Sequence, residues 1–234
     1  MNLIKYKKIL IIAAHPDDEV LGCGGFLAKY KSLINSTILF AGEGSSCRYQ
    51  LNKNKERVKE DIKIREKSAK SAAKYFGINK IIFNDLPCGR FDTIPIIDIN
   101  KMIEKYINEI KPDIIFVHDP GDVNNDHKIV YRSTIMATRP NSTCKVNTII
   151  TYEVPSSTEC SFETKDTFSP NIFIELTKDH INNKWMALNE YMTEVSEFPF
   201  PRSEEGLVTF AKYRGMQVGY EYAEAFKLIR TIIN

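Results

Sequence analysis

Apolar positions in the first two-thirds of the chain alternate between two patterns. Short, nearly continuous β-branched runs at Lys8–Ala14, Ser36–Gly42, Lys80–Asp85 and Asp113–His118 read as strands of a sheet covered on both faces. Between them, apolar residues recur at helical spacing. Glu19–Ser32 is the first such segment. Asn54–Phe76 is the second, with Val58, Ile62, Ala69, Ala72 and Phe76 on one stripe and Gly77 as its stop. Pro95–Ile110 is the third, ended by Lys111-Pro112, and a fourth helix is expected over Asp126–Thr138. Such alternation implies right-handed crossovers and an α/β, Rossmann-like, mostly parallel sheet with helices on both faces. Ligands bind such sheets at the carboxyl ends of the strands.

After residue 138 the pattern changes. Thr148–Val154 and Asn171–Leu176 read as strands separated by a polar loop, Pro155–Pro170. The tail reads as helical: Ile181–Tyr191, then two segments between Glu204 and Ile232 broken around Gly215–Gly219, wrapping the sheet or covering its active edge. No repeat, linker or low-complexity stretch divides the chain. Residues 1–234 are therefore assigned to one domain, with a core at about 8–138 and a C-terminal strand and helix elaboration at about 146–234.

Charge and cysteine usage narrow the classes. Lys and Arg number 32 against 30 Asp and Glu, a net charge of +2 that argues against nucleic acid as a partner. The N-terminus is basic, but the apolar run Ile9–Ala14 is about half of a signal-peptide core and ends in a charged cluster, so it reads as a buried strand. No stretch approaches the ~18 apolar residues of a membrane span. The five cysteines, Cys23, Cys47, Cys88, Cys144 and Cys160, are odd in number and form no CxxC pair. Neither a disulfide framework nor a thiolate zinc site is expected; the cysteines read as small core residues and the compartment as cytoplasmic.

The chemistry gathers at two strand ends. After the first strand comes Ala14-His15-Pro16-Asp17-Asp18-Glu19, and after the fourth His118-Asp119-Pro120-Gly121-Asp122-Val123-Asn124-Asn125-Asp126-His127. If a helix starts near Asp17, His15 and Asp18 converge on one point with Asp17 held beside them. Hydrolytic metal sites commonly use three His or carboxylate ligands and leave a position for water, a pattern that His15, Asp18 and His127 fit. Asp17, a carboxylate left free, would be the base. The ligand set suits Zn2+, and equally Fe2+ or another divalent ion.

Other residues read differently. Gly22-Cys23-Gly24-Gly25 lacks dinucleotide-binding spacing and follows a turn whose carboxylates would repel a pyrophosphate. Gly44, Ser45, Ser46, Gly89 and Arg90 lie at the same sheet edge, where they read first as turn residues and second as candidates for contacting substrate. Arg48, Arg90 and Arg202 read as solvated or paired within the chain, His180 as exposed or capping, and Trp185, Tyr191, Phe198 and Phe200 as packing.

Ala14 to Glu19 and Asp126-His127 together resemble the signature of the PIG-L (LmbE-like) family of zinc-dependent deacetylases, which remove N-acetyl groups from amino sugars. The resemblance covers roughly residues 8–138. It implies that His15, Asp18 and His127 hold zinc and that Asp17 is the general base. Arg65-Glu66 and the tail Tyr152-Glu153-Val154-Pro155-Ser156-Ser157-Thr158 are also similar to the family. Several members carry a histidine where this chain has Asn124, an amide that can donate a hydrogen bond but cannot shuttle a proton. Asp17 is then the expected shuttle and His118 the alternative acid. Arg65, His118, Asp122 and Asn124 are candidates for contacting substrate or supporting the ligands.

The expected activity is removal of an N-acetyl group from an amino sugar, a sugar nucleotide or a glycan intermediate. Alternatives are an amide hydrolase of the same fold acting on a thiol conjugate and a non-catalytic sugar- or nucleotide-binding module. The sequence leaves the oligomeric state open.

Overall fold

The computed structural model describes residues 8–50, 53–78, 80–140, 143–162 and 167–233. The basic N-terminal residues and part of the expected 155–170 loop lie outside them. Seven strands form one sheet in the order β3-β2-β1-β4-β5-β7-β6. β1 (Lys8–Ala13), β2 (Asn35–Gly42), β3 (Lys80–Leu86), β4 (Ile114–His118) and β5 (Thr148–Tyr152) run parallel. α1 (Asp18–Tyr30), α2 (Lys55–Tyr75), α3 (Ile96–Ile110) and α4 (Asn125–Ala137) connect them, close to the expected bounds.

Side chains of β1 alternate between two cores. Ile9, Ile11 and Ala13 pack with α1, α2, α5 (Lys178–Asn189) and α6 (Glu204–Met216); Leu10, Ile12 and Ala14 pack with α3 and α4. A strand buried on both faces can only be apolar throughout, which is why these runs were legible as strands.

The tail departs from expectation. The segment after Gly219, read above as a second helix, is β7 (Tyr222–Thr231), inserted antiparallel between β5 and β6 (Ile172–Leu176). Tyr222-Ala-Glu-Ala-Phe-Lys-Leu228 is rich in helix formers, so local propensity pointed the wrong way. The slot between β5 and β6 offers ladder partners on both edges, and Tyr222–Phe226 are buried there. Tertiary pairing outweighs propensity differences of tenths of a kcal/mol per residue.

The glycines of α1 serve packing. A Cβ on Gly22 would lie 2.1 Å from the Tyr152 ring, and one on Gly25 would lie 2.4 Å from Leu176. Glu224 on β7 and Lys184 on α5 make a buried ion pair at 2.7 Å that also grips α1. Glu224 accepts from Gly25 and Phe26 backbone N–H groups, and Lys184 donates to the Leu21 carbonyl.

Candidate active site

In this strand order the chain leaves β1 towards β2 on one side and later crosses to β4 on the other, so the loops after β1 and β4 flank a crevice at the carboxyl edge. His15–Asp17 follow β1, His118 ends β4, and His127 sits in the first turn of α4. Ligand atoms of His15, Asp18 and His127 lie within 4.8 Å of one another, all three residues buried. Asp18 Oδ2 is the common point, 3.5 Å from His15 Nδ1 and 3.4 Å from His127 Nε2. The same oxygen accepts the His15 backbone N–H at 2.8 Å, which fixes the turn.

The outer nitrogens of both imidazoles are backed by carboxylates. His15 Nε2 is 2.9 Å from Asp126 Oδ2, and His127 Nδ1 is 3.1 Å from Asp122 Oδ2, an ion-pair approach that stands off the hydrogen-bonding direction. Metal-ligating histidines are characteristically oriented in this way. Asp126 is held by the Gly89 and Phe91 N–H groups, and Asp122 by the Ser157 and Thr158 hydroxyls and the Asn124 N–H.

The field of the site favours positive charge. Burial works against a charged His127, yet Asp18 and Asp122 outweigh it and lift its pKa to about 10. Burial likewise opposes ionisation of Asp122, but His127 and the two hydroxyls bring its carboxyl down to about 2. Two imidazoles and a carboxylate converge in a buried field that favours positive charge, and such an arrangement fits a divalent cation.

Asp17 lies beside this group in a strained conformation, φ 128°, that non-glycine residues rarely adopt. The strain is fixed from several sides: its N–H donates to Glu19, and the preceding Pro16 carbonyl accepts from Arg65 Nε. Arg65 Nη2 and Arg202 Nη1 donate to Asp17 Oδ2 at 2.9 and 2.8 Å. Burial raises the Asp17 carboxyl while the two guanidinium groups pull it back, leaving it at about 6. Such a group can accept a proton near neutrality and release it again. Glu19, raised to about 8 by burial, accepts from the Tyr191 hydroxyl at 2.6 Å and serves as an anchor of the turn.

The supporting residues sort themselves by their partners. Arg65 does not reach out to substrate: its guanidinium is buried and donates to Pro16, Gly44, Glu194 and Asp17. His118 does not fit the role of a proton donor. Its Nε2 accepts the Ala14 N–H at 2.8 Å and so carries no proton. Complete burial and the neighbouring His127 also hold its pKa well below the ordinary imidazole range. It stacks on His127 with ring centroids 3.9 Å apart. Asn124 caps α4, its Oδ1 accepting the Asp126 N–H at 2.9 Å, which leaves its NH2 group to donate.

Sequence reasoning missed Asp126, Glu194 and Arg202 as parts of this assembly. Asp126 stood in the motif, but its partner is His15, 111 positions away, and not its neighbour His127, so adjacency in sequence gave no sign of this role. Arg202 had no signal either, being 185 positions from Asp17. Tyr191 and Trp185 pack as expected, whereas Phe198 and Phe200 are 53% and 39% exposed. Cys23 and Cys88 are buried, but Cys47 and Cys160 are exposed, so the reading of all cysteines as core residues holds only in part.

The tail similarity also gains a physical meaning. The Tyr152 hydroxyl lies 3.2 Å from His118 Nε2, Ser156 accepts from Arg202, and Ser157 and Thr158 fasten Asp122.

Among known proteins, the chain is 27% identical over 198 residues to the uncharacterized deacetylase YaiS of Escherichia coli, spanning 80% of this chain and 91% of that protein. It is 25% identical over 232 residues to the diacetylchitobiose deacetylase of Thermococcus kodakarensis, 95% of this chain and 83% of that one. The fold superposes on the N,N'-diacetylchitobiose deacetylase from Pyrococcus horikoshii with a TM-score of 0.78 at 21% identity, covering 96% of this chain and 84% of that one. Residues 10–138, more than half of the chain and spanning both strand-end clusters, match the PIG-L family, described as GlcNAc-PI de-N-acetylase; the chain belongs to that family.

Proposed function

We propose that this protein is a metal-dependent N-deacetylase of an N-acetylated amino sugar, sugar nucleotide or glycan intermediate, built as one domain. The observation that carries the reading is the convergence of His15, Asp18 and His127 beside a base held by two arginines. Family membership and the deacetylases among its relatives support the same reaction.

A divalent ion in such a site supplies a water acidic enough to attack an amide carbonyl. His15, Asp18 and His127 would hold the ion, zinc suiting the donors. Asp17 takes the proton released as the oxygen–carbon bond forms. It returns that proton to the nitrogen as the carbon–nitrogen bond breaks, so that acetate and a free amine leave. Arg65 and Arg202 hold one oxygen of Asp17 and keep the carboxylate aimed during both transfers. The Asn124 amide is the candidate donor to the oxygen that gains negative charge.

The test is acetate release across a panel of N-acetylated sugars, sugar nucleotides and thiol conjugates, after chelation and after return of one equivalent of metal. The expected result is metal-restored release from at least one N-acetyl sugar. Release from thiol conjugates alone would move the reading to that substrate class, and no release from any amide with the metal bound would refute it.

A further inference from the structure

Cys47 and Cys88 are 41 positions apart in the chain, yet their Sγ atoms are 3.3 Å apart, the Cys88 thiol donating to Cys47. Parallel pairing of β2 and β3 causes this, because it brings the turn after β2 against the loop after β3. One side chain holds both segments: Glu43 accepts the N–H groups of Ser45 and Ser46, just before Cys47, and the N–H of Cys88. Gly89 permits the close approach, since a Cβ at that position would lie 3.1 Å from the Cys47 Cβ. The two thiols differ in access. Cys47 is exposed to solvent and Cys88 is buried. The hydrogen bond from Cys88 is the main influence on the Cys47 thiol and holds it down, at about 6. The same bond, together with burial, keeps the proton on Cys88.

We propose that Cys47 is an oxidation site for hydroperoxides and that Cys88 resolves the product into a reversible disulfide. The Cys47 thiolate attacks one peroxide oxygen, the O–O bond breaks, and hydroxide or alkoxide leaves with the electron pair as a sulfenic acid forms. The Cys88 sulfur then attacks the Cys47 sulfur. The S–O bond breaks, and the departing hydroxide takes the Cys88 proton and leaves as water. Two thiols are thereby oxidised by two electrons, and the peroxide is reduced. Closing the bond brings the sulfurs from 3.3 Å to about 2.05 Å. The loop of buried Cys88 is bonded to Glu43 and, through Gly89, to Asp126, so the exposed Cys47 side makes most of the approach. Arg48 is the next residue and moves with it. Its guanidinium shares Glu194 Oε1 with Arg65 Nη1, and Arg65 holds Asp17. Oxidation therefore disturbs the arginine that aims the proposed base, and turnover falls until the disulfide is reduced. That consequence rests on the proposed hydrolytic role, whereas the disulfide itself does not.

The experiment treats the intact protein with stoichiometric hydrogen peroxide and follows intact mass, the thiol count after denaturation and the cross-linked peptides. Five thiols should fall to three with loss of two hydrogens, the peptides of Cys47 and Cys88 joined, and a phosphine reductant should restore all five. In Cys88→Ser the reaction should stop at a Cys47 sulfenic acid that dimedone traps. In Cys47→Ser no disulfide should form and Cys88 should stay reduced. Cys47 is on the surface, so its variant tests the site even if Cys88→Ser fails to fold. A wild-type protein that keeps all its thiols, passes to the sulfinic acid at Cys47, or cross-links another pair overturns the proposal. Acetate release should fall on oxidation, return with the phosphine and resist peroxide in Cys47→Ser; unchanged turnover in the cross-linked protein overturns the coupling to Asp17. Because mass and thiol count do not depend on turnover, a protein that releases no acetate but forms the Cys47–Cys88 bond upholds the oxidation site and refutes only the hydrolytic reading.

Discussion

Arg202 Nη1 donates to Asp17 Oδ2 at 2.8 Å, so the C-terminal elaboration reaches the carboxyl edge and holds the same oxygen of the proposed base that Arg65 holds. Hydrogen bonds to charged groups contribute about 1.5–3 kcal/mol. Arg202→Ala should therefore lower kcat about ten- to a hundredfold with metal content unchanged. A steady-state comparison with metal analysis checks this, and an unaltered kcat would remove Arg202 from the assembly that aims Asp17.

Asp17→Asn should keep metal and fold but lose activity by about a hundredfold or more, the usual consequence of removing a general base. The amide still offers Arg65 and Arg202 an acceptor oxygen but cannot take a proton. Rates close to wild type in a folded, metal-loaded variant would show that the proton goes elsewhere.

Asp126→Asn and Asp122→Asn address the outer carboxylates that orient His15 and His127. Loss of such support typically weakens metal affinity about 10- to 100-fold. Competition against a chelator of known affinity measures it. Affinity equal to wild type in both variants would mean that these carboxylates only fasten loops.

Gly22→Ala places a methyl group 2.1 Å from the ring of buried Tyr152, and both residues lie in packed surroundings. Overpacking of this kind costs about 1–3 kcal/mol. Urea unfolding should show a lower midpoint with the slope retained, while Gly77→Ala, whose nearest neighbour would be 3.7 Å away, is limited to its positive-φ strain.

Lys184→Met leaves Glu224 charged and buried without its cation. Removing one partner of a buried pair costs about 3–5 kcal/mol. The double variant Lys184→Met with Glu224→Gln should recover part of that loss. Additive losses in a double-mutant cycle would show that the two side chains act independently.

The sequence by itself determined the β1–α4 core and the identity of the converging residues. Continuous apolar runs such as Ile9–Ala13 have one stable placement, a strand covered on both sides, and His15-Pro16-Asp17-Asp18 at a strand end is a local arrangement set by three bonds of chain. Only the tertiary structure decided which neighbours those residues acquire. Tyr222–Leu228 is a strand because β5 and β6 leave a slot for it, against its own propensity. His118 loses its candidacy as an acid because the Ala14 N–H occupies Nε2, and Arg202 gains a role because α6 begins beside Asp17. Cys47 meets Cys88 only through the pairing of β2 with β3. Periodicity and motif report interactions within a few residues, whereas hydrogen bonds, burial and charge at a site are set by segments whose separation in sequence carries no signal of their contact in space.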